Sequence, residues 1–220
     1  MTAVLDHGLV LLVDHMASDV KVVGAARVST GKTPEESSKG PEGDAKLIEF
    51  LMAHHHGTPF EHAVFQFYVK APIFVVREWQ RHRMASYNEQ SGRYAEFQPE
   101  FYQPDHTRGT DPKNKQSSVR TGDRAPLGLK RMAEAAYAEY RAMLDAGIAR
   151  EMARIVLPLS LYTSFWFTVN ARSLMNFLAL RNAPAAQWEI QQYAVAIEAL
   201  FGEVMPLTYA AFVKSGRVAP

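Results

Sequence analysis

Residues 81–94, RHRMASYNEQSGRY, bring together side chains whose types and spacing could do chemistry. Three arginines stand among serine, asparagine, glutamine and glutamate residues. Rigid guanidinium groups suit phosphate and carboxylate, whereas the amides and hydroxyls suit the hydrogen-bonding edges of a base. Two interpretations are open, a site for a small phosphate-bearing ligand and an ordinary solvated face. The chain has neither GxGxxG nor the Walker pattern GxxxxGKS/T, so Rossmann and P-loop phosphate sites are not indicated.

A second polar run, HHHGTPFEH at 54–62, could bind a metal or could end a helix. Consecutive histidines on a helix point about 100° apart, so they cannot converge on one ion without irregular backbone. We therefore predict no metal site. The favoured interpretation is a helix end that turns through Gly57 and Pro59 into a strand, with polar side chains at its rim: His56, Thr58 and Glu61.

The segment NARSLMNFLALR, 170–181, has polar and apolar residues at helical spacing. Arg172 and Asn176 are four residues apart and share one face, whereas Arg181 lies about 180° from Arg172 around an ideal helix. The simpler interpretation is a surface helix with its usual polar side. The alternative is a helix that serves pockets on two sides, which is easiest in an oligomer.

The composition excludes several classes of protein. The 220 residues are 47% hydrophobic, enough for the core of one domain. A formal net charge of +1 gives no global field for nucleic acid or an anionic membrane, so any anion site must be local. The chain has no cysteine, which excludes disulfides, thiolate metal sites and a cysteine nucleophile. It shows neither a signal-like start nor an apolar run of roughly 18 residues, so we expect a cytoplasmic protein.

The elements that must position these residues are short strands among longer helices. Apolar and β-branched runs predict strands at 3–13, 62–71 and 161–169. Apolar spacing and caps predict helices at 18–29, 44–54, 73–83, 129–147, 150–157, 171–181 and 185–205. Turn formers and charges at 103–126 predict a mobile surface loop. This order favours an α+β fold, a single domain over 1–220 with a small, mainly antiparallel sheet and several long helices.

Several motifs together resemble the flavin-dependent thymidylate synthases. The pattern RHR followed by NEQSGRY is similar to the signature of that family. The likeness extends to other segments in the same order: AARVS at 25–29, TPFEH at 58–62, REMARIVLP at 150–158, NARSLMNFL at 170–178 and AQWEIQQYA at 186–194. The resemblance covers nearly the whole chain.

The resemblance implies an enzyme that methylates dUMP to dTMP. The carbon donor would be 5,10-methylenetetrahydrofolate, the hydride donor a tightly bound reduced FAD, and NADPH would reload the flavin. The family assembles as a homotetramer. The absence of cysteine agrees with this family, whose members manage without the cysteine attack of the unrelated classical thymidylate synthases, so electrostatics and orientation must do more.

The motifs also imply which residues act. The implied flavin contacts are Ser29, Thr58, Glu61, Arg81, His82, Arg83, Glu89, Asn170, Arg172 and Asn176. The implied dUMP contacts are Glu78, Arg81, Glu89, Gln90, Ser91, Gly92, Arg93, Arg154 and Arg181. Arg181 is the implied catalytic residue, which activates the uracil ring. The chain departs from the family pattern at Ala185, where many members carry a histidine that contacts the flavin.

Two rival functions follow from the same polar residues. A non-catalytic nucleotide-binding module would use the same phosphate contacts without a flavin. An RNA-binding protein would use RHR and the 103–126 segment, but the net charge of +1 and the lack of an aromatic stacking platform argue against it.

Overall fold

The computed structural model describes residues 1–126 and 128–220, which form an α+β domain around a five-stranded sheet. The spatial order of the sheet is β1-β2-β3-β7-β4, and every pairing is antiparallel. Strands β5 and β6 form a separate hairpin. The strands are β1 Thr2–Val4, β2 Gly8–His15, β3 Val64–Pro72, β4 Ala85–Glu89, β5 Thr107–Thr110, β6 Ser118–Gly122 and β7 Tyr162–Asn170. The predicted fold class and antiparallel sheet are confirmed.

Helices cover one face of the sheet and form the core with it. They are α1 Asp19–Arg27, α2 Gly40–Ala53, α3 Thr58–Glu61, α4 Ile73–Trp79, α7 Ala171–Arg181, α8 Trp188–Val204 and α9 Pro206–Lys214. Helices α5 Leu129–Asp145 and α6 Arg150–Ala153 pack on each other instead, and α5 adds Ala133 to a second, smaller cluster with Phe97, Phe101 and Leu161. Strand β3 alternates buried and partly exposed residues, as a sheet with one packed face requires. Trp79 lies at the centre, within 6 Å of the rings of Phe165, Phe167, Phe177 and Tyr193. The core therefore lies directly beneath α4 and α7.

The predicted helix at 73–83 is too long. Helix α4 ends at Trp79, and the chain then turns and pairs with β7 as strand β4. The hydroxyl of Tyr87 donates to the main-chain oxygen of His82 at 2.8 Å and lies 3.3 Å from that of Trp79. These contacts give partners to carbonyl groups at the end of the helix, which have none within it. The RHR motif therefore lies in a turn, and the polar segment after it is an edge strand.

Two other predicted elements are also revised. The strand predicted at 3–13 is a hairpin, in which β1 and β2 pair across a short turn at Leu5, whose φ is 57°. The loop predicted at 103–126 contains the β5–β6 hairpin. Arg108 of this hairpin pairs with Glu189 of α8 and lies 5.2 Å from the ring of Trp188. Because Glu189 is buried, this pair fixes the hairpin to the helical layer.

Side chains cap the first turns of α7 and α9. Asn170 is the N-cap of α7, and its side chain accepts a 2.8 Å hydrogen bond from the backbone N–H of Ser173. Buried Asp19 accepts hydrogen bonds from the backbone N–H groups of Leu207 and Thr208, both at 2.9 Å, and so joins α1 to α9. Within the described ranges, no helix combines the length and the apolar character needed to cross a membrane.

Candidate active site

A cavity of about 1670 Å³ opens between α4, the turn after it and α7. Ligand pockets for one small molecule usually measure about 300–1,000 Å³, so this cavity has room for more than one ligand. It brings together many of the implied site residues: Glu61, Glu78, Arg81, His82, Arg83, Arg172, Asn176 and Arg181. Arg172 and Arg181 line this same cavity, so α7 does not serve two separate pockets within one chain.

The cavity is strongly cationic in a chain that is nearly neutral. Five arginines line it, against two glutamates, an excess of three positive charges. Arg172 and Arg181 are paired with the two glutamates, Glu61 and Glu78. The remaining three, Arg77, Arg81 and Arg83, form no ion pair with any described residue. Unpaired guanidinium groups that converge on a cavity are suited to anionic ligands.

Arg181 is held at the cavity wall by two neighbours from the α4 region. One of its terminal nitrogens pairs with the carboxylate of Glu78, and its Nε donates to Nε2 of His82 at 2.9 Å. Its side chain is 19% exposed, so the guanidinium is mostly shielded from water yet still reaches the cavity. Since Glu78 and His82 are four residues apart, the last turn of α4 and the residues after it hold both partners on the same side. The sequence shows the spacing of Glu78 and His82, but it does not reveal that both residues contact Arg181.

His82 is neutral in this arrangement. Burial, and then the charge of Arg181, lower the pKa of His82 from 6.5 to about 4. Because Nε2 accepts the hydrogen bond from Arg181, the proton of the neutral ring must sit on Nδ1. Protonation of Nε2 would remove this acceptor and place a second cation against Arg181.

The lowered pKa of His82 predicts a loss of stability in acid. Between pH 6.5 and about 4 the unfolded chain binds the proton of this histidine and the folded chain does not, so the free energy of unfolding falls as pH falls through this window. We expect His82→Gln, which cannot titrate, to lose less stability than the wild type over the same range. Urea midpoints at pH 6.5, 5.5 and 4.5 measure the difference. Parallel curves for the two proteins would contradict a buried neutral His82.

Arg172 is held by a second set of contacts at another part of the cavity wall. Its Nη1 donates to Glu61 at 2.6 Å, and its Nε donates to the main-chain oxygen of Pro220 at 2.8 Å. A Cβ on Gly57 would lie 2.4 Å from Nε, so only glycine lets the arginine side chain cross this point. In the HHHGTPFEH run, Gly57 thus leaves space for the side chain of Arg172, and Glu61 accepts its hydrogen bond. Within the described residues, no three histidine or acidic side chains are grouped so that they could hold a metal.

Another group of implied residues lies away from the cavity, where β4 ends. Gly92 is buried, and a Cβ there would lie 2.4 Å from the ring of Phe97 and 3.1 Å from Cδ of Arg154. Arg93 pairs with Glu151 at 3.3 Å. The structure therefore joins Gly92 and Arg93 to the segment of Glu151 and Arg154. None of the implied residues Gln90, Ser91, Gly92, Arg93 and Arg154 lines the large cavity.

Three further implied residues, Glu89, Ser29 and Thr58, lie outside the cavity wall. Glu89 accepts hydrogen bonds from Gln80 at 3.2 Å and Thr163 at 2.9 Å. Ser29 and Thr58 are exposed, and neither lines the cavity. Ser29 donates to the main-chain oxygen of Ala26, as a hydroxyl at a helix end commonly does. One chain therefore brings together part of the implied flavin and nucleotide contacts, but not all of them.

Sequence reasoning missed several residues of the cavity wall. Arg77 lines it, and the signal was present, because Arg77 lies four residues before Arg81. Gln116 reaches it from the turn between β5 and β6, and Ala219 and Pro220 reach it from the far end of the sequence. No local pattern marks these three, because only tertiary packing brings them to the cavity. Ala185 also lines the wall, without the imidazole that many family members have there.

Comparisons with known proteins agree with this geometry. A family model described as thymidylate synthase complementing protein matches residues 11–207. A flavin-dependent thymidylate synthase of Thermosipho melanesiensis is 53% identical over 219 residues, with 96% of this chain and 93% of the relative covered. One from Thermus thermophilus is 51% identical over 211 residues, covering 95% and 77%. Among solved structures, the UMP/dUMP methylase PolB of Streptomyces cacaoi bound with 5-Br dUMP is similar over the full length of both chains, with a TM-score of 0.90 and 40% identity.

Proposed function

The chain belongs to the flavin-dependent thymidylate synthase family, and we propose that it methylates dUMP to dTMP with 5,10-methylenetetrahydrofolate as carbon donor. Its cofactor is a flavin. We propose that this flavin is a tightly bound FAD, that NADPH reloads it, and that the enzyme works in the cytoplasm. The observation that carries the proposal is the cavity with five arginines, which has the size and charge for two anionic nucleotides.

The residues present fit a flavin nucleotide. Arg83, Arg172 and Asn176 line the same cavity, and Gly57 leaves the space that Arg172 needs. We assign the flavin's contacts to the residues implied by the motifs, with Arg172 and Arg83 on its anionic groups. When bound, the flavin supplies the hydride of the reaction. The protein's part is to bind both nucleotides, keep water from the reacting atoms and hold Arg181 in position.

We further propose that dUMP is bound by both groups of implied residues. Arg181, Glu78 and Arg81 would contact the base side of the nucleotide. The Ser91–Gly92–Arg93 segment would take its phosphate through a hydroxyl, a close backbone approach and a guanidinium. The buried position of Gly92, with no room for a side chain, supports a close backbone approach.

The two groups lie in different parts of one chain, which supports a site shared between chains. We propose a homotetramer in which one copy's Ser91–Arg93 segment completes the cavity of another copy. Light scattering should then give about four times the chain mass of 24.6 kDa. A flavin-loaded monomer of 24.6 kDa would contradict the shared site.

Ser91 is expected to bind the nucleotide and not to attack it. A serine becomes a nucleophile only beside a base, and the hydroxyl of Ser91 instead accepts a 3.3 Å hydrogen bond from the backbone of Arg93. Ser91→Ala should weaken dUMP binding by about 1.5–3 kcal/mol, the contribution of a hydrogen bond to a charged group, and leave turnover measurable. Calorimetric titration with dUMP measures the loss. A covalent Ser91 adduct trapped by mass spectrometry would show that this role is wrong.

Two measurements test the proposed function as a whole. Purified protein incubated with FAD and desalted should keep a flavin absorbance band, and the loaded protein should release tritium from dUMP labelled at carbon 5 when folate donor and NADPH are present. Protein that binds dUMP but keeps no flavin would instead be the alternative, a non-catalytic nucleotide-binding module.

A further inference from the structure

Residues 215–220, which we call the tail segment, follow helix α9 and turn back toward the cavity. Gly216 and Arg217 both have a left-handed backbone, with φ of 72° and 63°. This conformation is strained for arginine and persists only where surrounding contacts hold it. Ala219 and Pro220 then line the cavity, and Pro220 is buried.

A buried carboxylate holds the tail segment in place. Arg217 reaches both carboxylate oxygens of Glu198 on α8, each at 2.6 Å. The Glu198 side chain is only 5% exposed, and it also accepts a hydrogen bond from Asn182, the residue after Arg181. Only the contact from Nη1 to Oε2 is a hydrogen bond, because Oε1 has no hydrogen-bond partner in the described part of the chain. A charge-assisted hydrogen bond to a buried carboxylate is nevertheless stronger than one between neutral groups. It offsets the strain of the left-handed residue and sets the direction in which the next three residues leave.

The tail segment ends on a cation of the cavity. The main-chain oxygen of Pro220 accepts from Nε of Arg172, while Glu61 accepts from Nη1. The two acceptors lie far apart in the sequence, and together they fix two of the three guanidinium nitrogens. The third, Nη2, has no hydrogen-bond partner in the described part of the chain. The guanidinium is therefore oriented before any ligand arrives and keeps one free donor group.

We propose that the tail segment is part of the flavin site and that it positions Arg172 for an anionic group of the flavin nucleotide. Arg217 and Glu198 act as positioning residues for this contact, and the main-chain oxygen of Pro220 transmits it to Arg172. An arginine held in place loses less side-chain freedom on binding than a mobile one, so the tail raises affinity through Arg172 and needs no hydrogen bond of its own to the ligand. The inference rests on the proposed flavin-binding function.

Flavin affinity of the full enzyme tests the proposal. Deletion of residues 219–220 and, separately, Arg217→Ala should each raise the dissociation constant of FAD about 10-fold, measured by fluorescence titration. The matched control is Lys214→Ala, which removes an exposed ion pair with Glu49 just before the tail segment. The control should stay within about twofold of the wild type. Unfolding midpoints without FAD show that each variant is folded at the temperature of the titration.

A double variant separates positioning from a general effect on structure. If the tail acts through Arg172, the deletion should weaken FAD little further in an Arg172→Ala background, because the group to be positioned is already gone. A full 10-fold loss in that background, or an unchanged dissociation constant for the single deletion, would overturn the inference. If the wild-type enzyme itself does not bind FAD, the proposed function fails, which is a different result from an unchanged deletion variant.

Discussion

Arg181→Ala should lower dTMP formation by about 100-fold or more, equivalent to roughly 3 kcal/mol of activation free energy. The chain has no cysteine to attack carbon 6 of the uracil, so electron density at carbon 5 must be raised by other means. A guanidinium at the amide edge of the ring would stabilise the negative charge that develops there, mainly in the transition state. Arg181 suits this role because Glu78 and His82 hold it before the substrate binds.

Two half-reactions separate this role from a structural one. Reduction of the flavin by NADPH needs no activation of the uracil, so stopped-flow absorbance should give a rate close to wild type in Arg181→Ala. Tritium release from labelled dUMP should show the full loss. Arg181→Lys is the matched control, because lysine keeps the positive charge but lacks the planar guanidinium that Glu78 and His82 hold in place. If both half-reactions fall together, Arg181 supports the fold or the flavin; if neither falls, the activating role is wrong.

The contacts of Arg181 leave one of its donor groups available to the substrate. In the structure Nη1 of Arg181 pairs with Glu78 and Nε with His82, while Nη2 has no hydrogen-bond partner among the described residues and can donate to a ligand. Uracil offers a ring N–H as well as carbonyl oxygens, so Glu78 can accept from the ring while Arg181 donates to it. The neutral state of His82 keeps Nε2 available as the acceptor for Nε of Arg181 at physiological pH. The three residues therefore match one edge of the proposed substrate.

The fold class could be predicted from the sequence because the central strands follow simple rules. Residues 62–71 alternate buried and partly exposed positions, and the structure has β3 there at Val64–Pro72. Strand β4 could not be predicted in this way. It is an edge strand of five residues that pairs only with β7. Ala85 and Tyr87 alternate with exposed polar residues, but none of the five is fully buried, so the alternation is too short and too weak to mark a strand. Pairing with β7 overrides the helical spacing that extended the predicted α4 to residue 83.

The site shows the same division between local and tertiary information. Motifs identified Arg172 and Arg181, because the chemistry of anion binding restricts residue types at those positions. They could not show that Arg181 meets His82, since 99 residues separate the two. They also did not indicate that Pro220 contacts Arg172, because a main-chain oxygen accepts this hydrogen bond and any residue type could provide one. Main-chain contacts of this kind have to be read from the structure.

Two glycines should respond in opposite directions to the same change. Gly8→Ala should destabilise the protein by about 3 kcal/mol or more, since overpacking of a core site costs 1–3 kcal/mol and the loss of a buried hydrogen bond adds to it. A Cβ at Gly8 would lie 2.0 Å from the hydroxyl of Tyr193 and 2.6 Å from the main-chain oxygen of Val4. Tyr193 is fully buried and donates to the main-chain oxygen of Lys70, so it cannot move aside without losing that bond.

Gly24→Ala is the matched control, because its helix has room for the added methyl group. Gly24 lies inside α1, and the nearest atom to an added Cβ is 4.0 Å away. Alanine restricts the unfolded chain more than glycine does, so this variant should be more stable than the wild type by about 0.5–1 kcal/mol. Differential scanning calorimetry should show a melting temperature lowered by about 6–12 °C for Gly8→Ala and raised by about 1–4 °C for Gly24→Ala. A tolerated Gly8→Ala would mean that the turn between β1 and β2 can move away from Tyr193, and that the close packing of this hairpin on α8 does not contribute to stability.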